Sequence, residues 1–289
     1  MMPAVPTASQ VLGEAVKVFK KSEEFDHVHL GKELADAEEL LEFVMGREPD
    51  EDHEIPPAAV SRFQRMVRRR ASGEPNAYII GRTTFHDLTL EVRRGSFIPR
   101  QSSEWMADQA LRRLRFRKEP VHVDLGTGIG PVALVVARAL PRAKVVGVDV
   151  ASRPIALARR NASRLGLKNV EFRRGDLFEP LPRRLRGSVD VVSIHPPYVG
   201  RREMRTLPLE IVRFEPEESL TDYSPLGDRI VRRVAREAPA WLRPGGWVLI
   251  EVSPDRSRGV ASILRQAGFR DVRSTKGGVK VSRVVVGRT

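Results

Sequence analysis

The 289-residue chain contains no cysteine, which excludes disulfides and thiolate metal sites and makes the cytoplasm the expected setting. It has no apolar run of membrane-spanning length. The longest apolar stretch, residues 129–140, is broken by Arg138, so no membrane association is expected. The N-terminus lacks the basic-then-apolar pattern of a secretion signal. Internal repeats and low-complexity tracts are absent. So is a Walker-type phosphate loop, which disfavours a nucleoside triphosphate as ligand.

What is present is the composition of a globular protein, 41% hydrophobic and 30% charged, with length enough for a large core or two domains. The net charge of +13 is unevenly spread: residues 1–75 carry a net −5 and the remainder +18. A basic body meets anionic partners such as RNA, although a solvated arginine-rich surface explains it equally well.

Residues 8–72 read as helical, with Val11, Leu12, Ala15, Val16 and Phe19 at helical spacing, and Val60, Phe63 and Val67 likewise. The acidic, proline-containing stretch 47–57 reads as a loop between them. From 78 to 98 the pattern turns extended, and Phe85, Leu88, Leu90 and Val92 suggest a small hairpin. The domain division is therefore 1–75 helical, 76–100 a hairpin linker, and 101–289 a larger domain.

A helix is expected over 102–117. Strands at 121–125, 144–149, 170–173, 189–194 and 247–252 then alternate with helices at 131–140, 154–165, 226–242 and 256–267. A long loop fills 195–224. Two last strands, 272–273 and 280–286, close the chain and imply one antiparallel edge strand. Alternation of this kind specifies an α/β fold, a doubly wound, mostly parallel sheet of seven strands.

Chemistry gathers at the carboxyl ends of these strands. Asp124-Leu125-Gly126-Thr127-Gly128-Ile129-Gly130 follows the first and opens a helix. Glycines there permit a tight turn and close approach of backbone to a ligand. The spacing is Gly-x-Gly-x-Gly followed by Pro131, not the dinucleotide fingerprint. Asp149, ending the second strand, suits the two hydroxyls of a ribose. Asp176 follows the third and can accept from an adenine amino group, with Leu177 covering the ring. Together these form a candidate adenosine site. After the fourth strand comes His195-Pro196-Pro197-Tyr198, a rigid turn with an aromatic wall suited to orienting a planar acceptor.

The chain resembles the HemK/PrmC protein-glutamine methyltransferases. The resemblance runs through residues 73–81, Phe97-Ile98-Pro99-Arg100, the glycine loop, Asp149, Pro196-Pro197-Tyr198, Phe214-Glu215-Pro216-Glu217 and Leu220-Thr221. It implies a class I methyltransferase fold, a helical N-terminal substrate-recognition domain and S-adenosylmethionine as donor. It also implies the glutamine of a release factor's Gly-Gly-Gln motif as acceptor. The implied donor site comprises Phe97, Pro99, Asp124, Gly126, Thr127, Gly128, Gly130, Asp149, Val150, Asp176, Leu177 and His195. The implied catalytic residues are His195, Pro196, Pro197 and Tyr198.

Two positions depart from the family. His195 replaces the asparagine of Asn-Pro-Pro-Tyr, and Gln101-Ser102-Ser103-Glu104 replaces Pro-Glu-Thr-Glu. A neutral imidazole has its donor and acceptor on opposite sides of the ring and cannot reproduce the two-point contact of an amide. The alternative acceptors are a small-molecule amine or hydroxyl, or RNA, with His195 as a base. A non-catalytic S-adenosylmethionine-binding protein is a further alternative. His27 and His29 lack an evident third ligand, so no metal is expected; His86 and His122 read as structural.

Overall fold

The computed structural model describes residues 5–27, 31–277 and 282–289. Two compact units divide the chain, one comprising Met1–Arg82 and Thr206–Glu215, the other Thr83–Arg205 and Pro216–Thr289.

The first unit begins with α1 (Ala8–Lys20), α2 (Lys32–Met45), α3 (Pro57–Ala71) and α4 (Asn76–Ile80). The start of α1 is fixed by a capping box, in which the Thr7 and Gln10 side chains each bind the other's backbone N–H. Its apolar stripe of Val11, Ala15 and Phe19 packs with Leu40 and Leu41 of α2, Phe63 of α3, and Ile55. Arg70 is buried among them, donating to Asp36 at 2.7 Å and to Glu210 at 2.9 Å, its guanidinium over the Phe25 ring. Lys32 also reaches Glu210, at 3.0 Å. A buried guanidinium with two carboxylates is compensated; with neither it would be costly. The extended reading fails at 78–80, which belong to α4. Pro75 at its N-cap and Gly81 in the left-handed region after it stop the helix at five residues.

The second unit begins at Thr83, within the first strand of the hairpin β1 (Arg82–Phe85) and β2 (Leu88–Glu91), followed by α5 (Glu104–Leu114). Then come β3 (Val121–Leu125), α6 (Pro131–Ala139), β4 (Lys144–Asp149), α7 (Ser152–Arg164), β5 (Val170–Arg174) and β6 (Val189–Ile194). After α8 (Leu209–Phe214) of the first unit follow α9 (Arg229–Glu237), β7 (Leu242–Val252), α10 (Ser257–Gln266), β8 (Arg270–Thr275) and β9 (Arg283–Arg288).

The seven-stranded sheet has the order β5-β4-β3-β6-β7-β9-β8. The first five strands are parallel, and β9 runs antiparallel to both neighbours. β3, β4, β6 and most of β7 are buried, as their unbroken apolar runs require of a sheet covered on both faces. The strand order reverses at β3, and in such sheets a crevice opens beyond the carboxyl ends on either side of the reversal.

Several boundaries differ from expectation. The antiparallel strand is β9, one place in from the edge, while β8 forms the edge itself. The first two residues of the expected strand 280–286 lie outside the described residues. The helix expected over 226–242 is only α9, because Pro239 directs the chain into a single 3₁₀ turn. β7 begins at Leu242 rather than Trp247; a register irregularity between Val189 and Val191 of β6 accommodates the Pro244-Gly245-Gly246 segment. The expected loop 195–224 holds α8 and two 3₁₀ turns.

Candidate active site

A cavity of about 310 Å³ lies in the second unit at the carboxyl ends of β3, β4 and β6. Phe97, Pro99, Asp124, Gly126, Thr127, Gly128, Asp149, Val150, Asp176, Leu177, His195 and Pro197 line it. Gly130, Pro196 and Tyr198 do not. Gly130 stands behind the loop at the N-cap of α6, where a Cβ would meet the Phe172 ring at 2.8 Å.

The glycine loop is held from below by a buried relay. His122 on β3 donates from Nε2 to the Ser193 hydroxyl of β6 at 2.8 Å. Ser193 in turn donates to Asp124 at 2.6 Å, and Thr127 donates to the other Asp124 oxygen, also at 2.6 Å. The direction of the serine bond sets the histidine tautomer: Nε2 carries the proton, and Nδ1 has no partner among the described residues. Burial raises the Asp124 carboxyl to about 6, against the two hydroxyl donors, and depresses the His122 imidazole to about 3.

Asp149, at the end of β4, accepts from the backbone N–H groups of Gly128 and Ala151, each at 2.9 Å. Burial raises its carboxyl against those donors. One of its oxygens thus ties the glycine loop to the adjoining strand, while the carboxylate still borders the cavity. Asp176 also borders it, yet one of its oxygens takes a salt bridge from Arg233 at 2.7 Å. Leu177 is buried with φ +46°, a strained value for a branched side chain that turns the backbone at the cavity wall.

His195 follows β6 directly. Its ring stacks on Tyr198, with centroids 5.6 Å apart, and meets the edge of Phe97 at 5.8 Å. The turn is braced by a bridge between Tyr198 and Thr221 and by the Val199 N–H on the Leu220 carbonyl at 2.9 Å. Gly227 packs directly on the turn: a Cβ there would stand 2.0 Å from the Tyr198 carbonyl oxygen, and its φ is +63°. Pro196 is buried within this bracing.

Sequence reasoning missed several contributors, among them polar residues brought in from two distant segments. Ser103 and Met106 line the cavity from the segment around the start of α5, and Thr221 and Asp222 line it from the loop before α9. A further omission is Glu251. It is fully buried on β7, and its carboxylate lies 3.9 Å from His195 Nδ1. A lone acid inside the apolar run Trp247–Val252 was the available signal. His27 pairs with Glu33 at 2.9 Å, whereas His29 lies outside the described residues. No cluster of three potential metal ligands occurs among the described residues, and no helix among them is long and apolar enough to cross a membrane.

A strand-order reversal, a glycine loop under a strand-end carboxylate, and an aromatic turn beside them suit a nucleoside whose reactive end faces an acceptor. A family model described as a methyltransferase domain matches residues 117–255. In fold the chain is similar to a methyltransferase from Pyrococcus furiosus, with TM-score 0.53, 18% identity, and coverage of 70% of this chain and 89% of that one. It is likewise similar to a Thermus thermophilus 16S rRNA methyltransferase solved with AdoMet and guanosine, with TM-score 0.52, 19% identity, and coverage of 72% and 49%. The class is that of the S-adenosylmethionine-dependent methyltransferases.

Residues 11–81 match the model of the PrmC N-terminal domain. The release factor glutamine methyltransferase of Xylella fastidiosa is 37% identical, over 80% of this chain and 82% of that protein. That of Bordetella pertussis is 34% identical, over 86% and 92%. The chain belongs to the release factor glutamine methyltransferase family.

Proposed function

We propose that this protein transfers the methyl group of S-adenosylmethionine to the side-chain amide nitrogen of a glutamine in a peptide chain release factor. The observation that carries this reading is the identity to release factor glutamine methyltransferases across most of both chains, N-terminal domain included. A release factor as partner agrees with a cytoplasmic setting.

The residues present fit the donor. The Asp149 carboxylate borders an otherwise largely apolar cavity and is the group suited to the ribose hydroxyls. The backbone of Gly126 and Gly128, with Thr127 and Asp124 holding it in place, would lie along the nucleoside. Leu177 and Val150 would cover the adenine, and the Asp176 oxygen not bonded to Arg233 is suited to the amino group. Phe97, Pro99 and His195 would close the end where the methyl is transferred. The donor supplies an electrophilic methyl on a sulfonium.

The acceptor amide is a weak nucleophile because its lone pair is delocalised. The work of the protein is therefore to hold that nitrogen in line and keep water out. The Pro196-Pro197-Tyr198 turn, braced by Thr221 and Gly227, is the rigid element for this task. Residues 1–75 would supply recognition of the protein substrate.

The test uses methyl-labelled donor, a purified release factor, and the same factor with its Gly-Gly-Gln glutamine replaced by alanine. Label on the intact factor alone is expected. Label on neither, with donor bound normally, would reject glutamine and turn attention to amines, hydroxyls or RNA, for which His195 as a base is the favouring feature.

A further inference from the structure

Glu251 poses a physical problem. It is fully buried, and neither carboxylate oxygen has a hydrogen-bond partner among the described residues. Buried carboxylates without partners are expensive and rare, so the position calls for an explanation. The basic side chain paired with it is His195, Nδ1 to Oε2, at 3.9 Å. That separation exceeds a hydrogen bond, but catalytic contacts are often long before substrate binds and tighten afterwards.

The surroundings leave the ring few choices. Tyr198 stacks on the ring and Phe97 meets it edge-on, with the Arg100 guanidinium over the Phe97 ring at 4.7 Å. The Nδ1 edge faces Glu251 and the Ser103 hydroxyl, the latter at 3.4 Å. Nε2, on the opposite edge, has no hydrogen-bond partner among the described residues, and the residue lines the cavity. The Glu251 charge is also felt by Tyr198, whose hydroxyl is pushed above its usual range by burial first and by Glu251 second.

We propose that Glu251 is a positioning residue: it holds His195 with Nδ1–H turned inward, so that Nε2 presents a lone pair to an N–H of the methyl acceptor. This deepens the glutamine reading and rests on it for the identity of the acceptor. It also accounts for a functional site with imidazole where the family has an amide. The ring cannot make a two-point contact, but a fixed tautomer gives it one directed acceptor. Ionised carboxylate is acceptor-only, which is the property needed to select the Nδ1–H form. Neutral His195 of unfixed tautomer would place a donor against the acceptor's own donor in part of the population.

The experiment reads the tautomer in the free protein. Histidine-labelled protein is examined by long-range nitrogen–proton correlation spectra at a pH where the ring is neutral. The His195 signals, assigned by their loss in His195→Asn, are expected in the Nδ1–H pattern. Glu251→Leu should shift them to the Nε2–H pattern or a mixture, and Glu251→Gln, which keeps an acceptor oxygen, should restore the Nδ1–H pattern. In turnover, Glu251→Leu should cost about tenfold or more on the release factor, the size of one lost hydrogen bond to a charged group. Donor affinity should stay unchanged, and the same substitution in a His195→Asn background should cost little. A parent in the Nε2–H form overturns the proposal without any variant. An unchanged tautomer in Glu251→Leu also overturns it and assigns the role to Ser103. Since the spectra need no acceptor, failure of the glutamine assignment would appear separately, as absent label transfer with the tautomer result intact.

Discussion

At the scale of single residues, the proposed function divides between Asp149 on the donor side and His195 on the acceptor side. Asp149→Ala should weaken S-adenosylmethionine binding by about 1.5–3 kcal/mol, the range for hydrogen bonds to a charged group. Calorimetry giving equal affinity in parent and variant would remove Asp149 from the donor site. With glutamine as acceptor, His195→Asn should keep or raise turnover, since an asparagine oxygen can also accept. A loss of about 100- to 10,000-fold in turnover would instead mark His195 as a general base and the acceptor as something else.

The His122–Ser193–Asp124 relay makes a prediction about pH. His122 is depressed in the folded state, so its contribution to stability is present above 6.5 and is lost as pH falls from there toward about 3. Asp124 is raised, so its contribution is present below 3.8 and is lost as pH rises through about 6. Between about 4 and 6 the two oppose each other. His122→Gln removes one of them while keeping a donor for Ser193. The stability of the variant relative to the parent should therefore increase by up to about 1.4 kcal/mol for each pH unit lowered from 6.5 to 4. Urea unfolding across that range measures it; a difference independent of pH would mean that His122 does not titrate as its burial requires.

At the scale of elements, two glycines make a matched pair. Gly227→Ala places a Cβ against the Tyr198 backbone at a positive φ, and should lower Tm by about 4–8 °C for a loss near 2 kcal/mol. Gly259, exposed in α10 with open space at its Cβ position, should gain by the same change: Gly259→Ala removes about 0.5–1 kcal/mol of helix cost and raises Tm by about 1–4 °C. Scanning calorimetry on the two variants would refute the packing account if both moved the same way.

Elements were legible in the sequence to the extent that their local pattern matched their environment. The parallel strands β3, β4 and β6 were readable as apolar runs because both of their faces are covered. The helix α4 was not, because Tyr78, Ile79 and Ile80 favour strands, and only the flanking Pro75 and Gly81 hold the turn. The start of β7 was hidden by Pro244-Gly245-Gly246, a turn signal that a strand irregularity absorbs. In the site, the glycine loop, Asp149 and the His195 turn were readable because each sits at a strand end in a recognisable order. Glu251 and Ser103 were not, since their approach to His195 depends on the sheet order and on where α5 begins. The Arg233 partner of Asp176 lies 57 residues away, beyond any local pattern.

At the scale of the molecule, the first unit is discontinuous. The chain leaves the second unit after Arg205, contributes α8 and its flanks to the first, and returns at Pro216. A protein beginning at Thr83 should still bind the donor, whose cavity lies wholly in the second unit, but should lose at least about tenfold of its kcat/KM on a release factor, or about 1.4 kcal/mol. Full activity of the shortened protein would remove substrate recognition from the helical unit.

That discontinuity also sets an order of events during synthesis. Arg70 is buried against Asp36, which precedes it, and Glu210, which follows 140 residues later. At about 5–20 residues per second, Glu210 is polymerised about 7–28 s after Arg70. The helices that carry Asp36 and Arg70 thus emerge before the sheet, and their charge pairing cannot be completed until all of the parallel sheet's first four strands have followed. Through that interval the nascent chain carries a guanidinium with half of its carboxylate partners, so final closure of the helical core awaits the stretch that lies between the sheet's fourth and fifth strands.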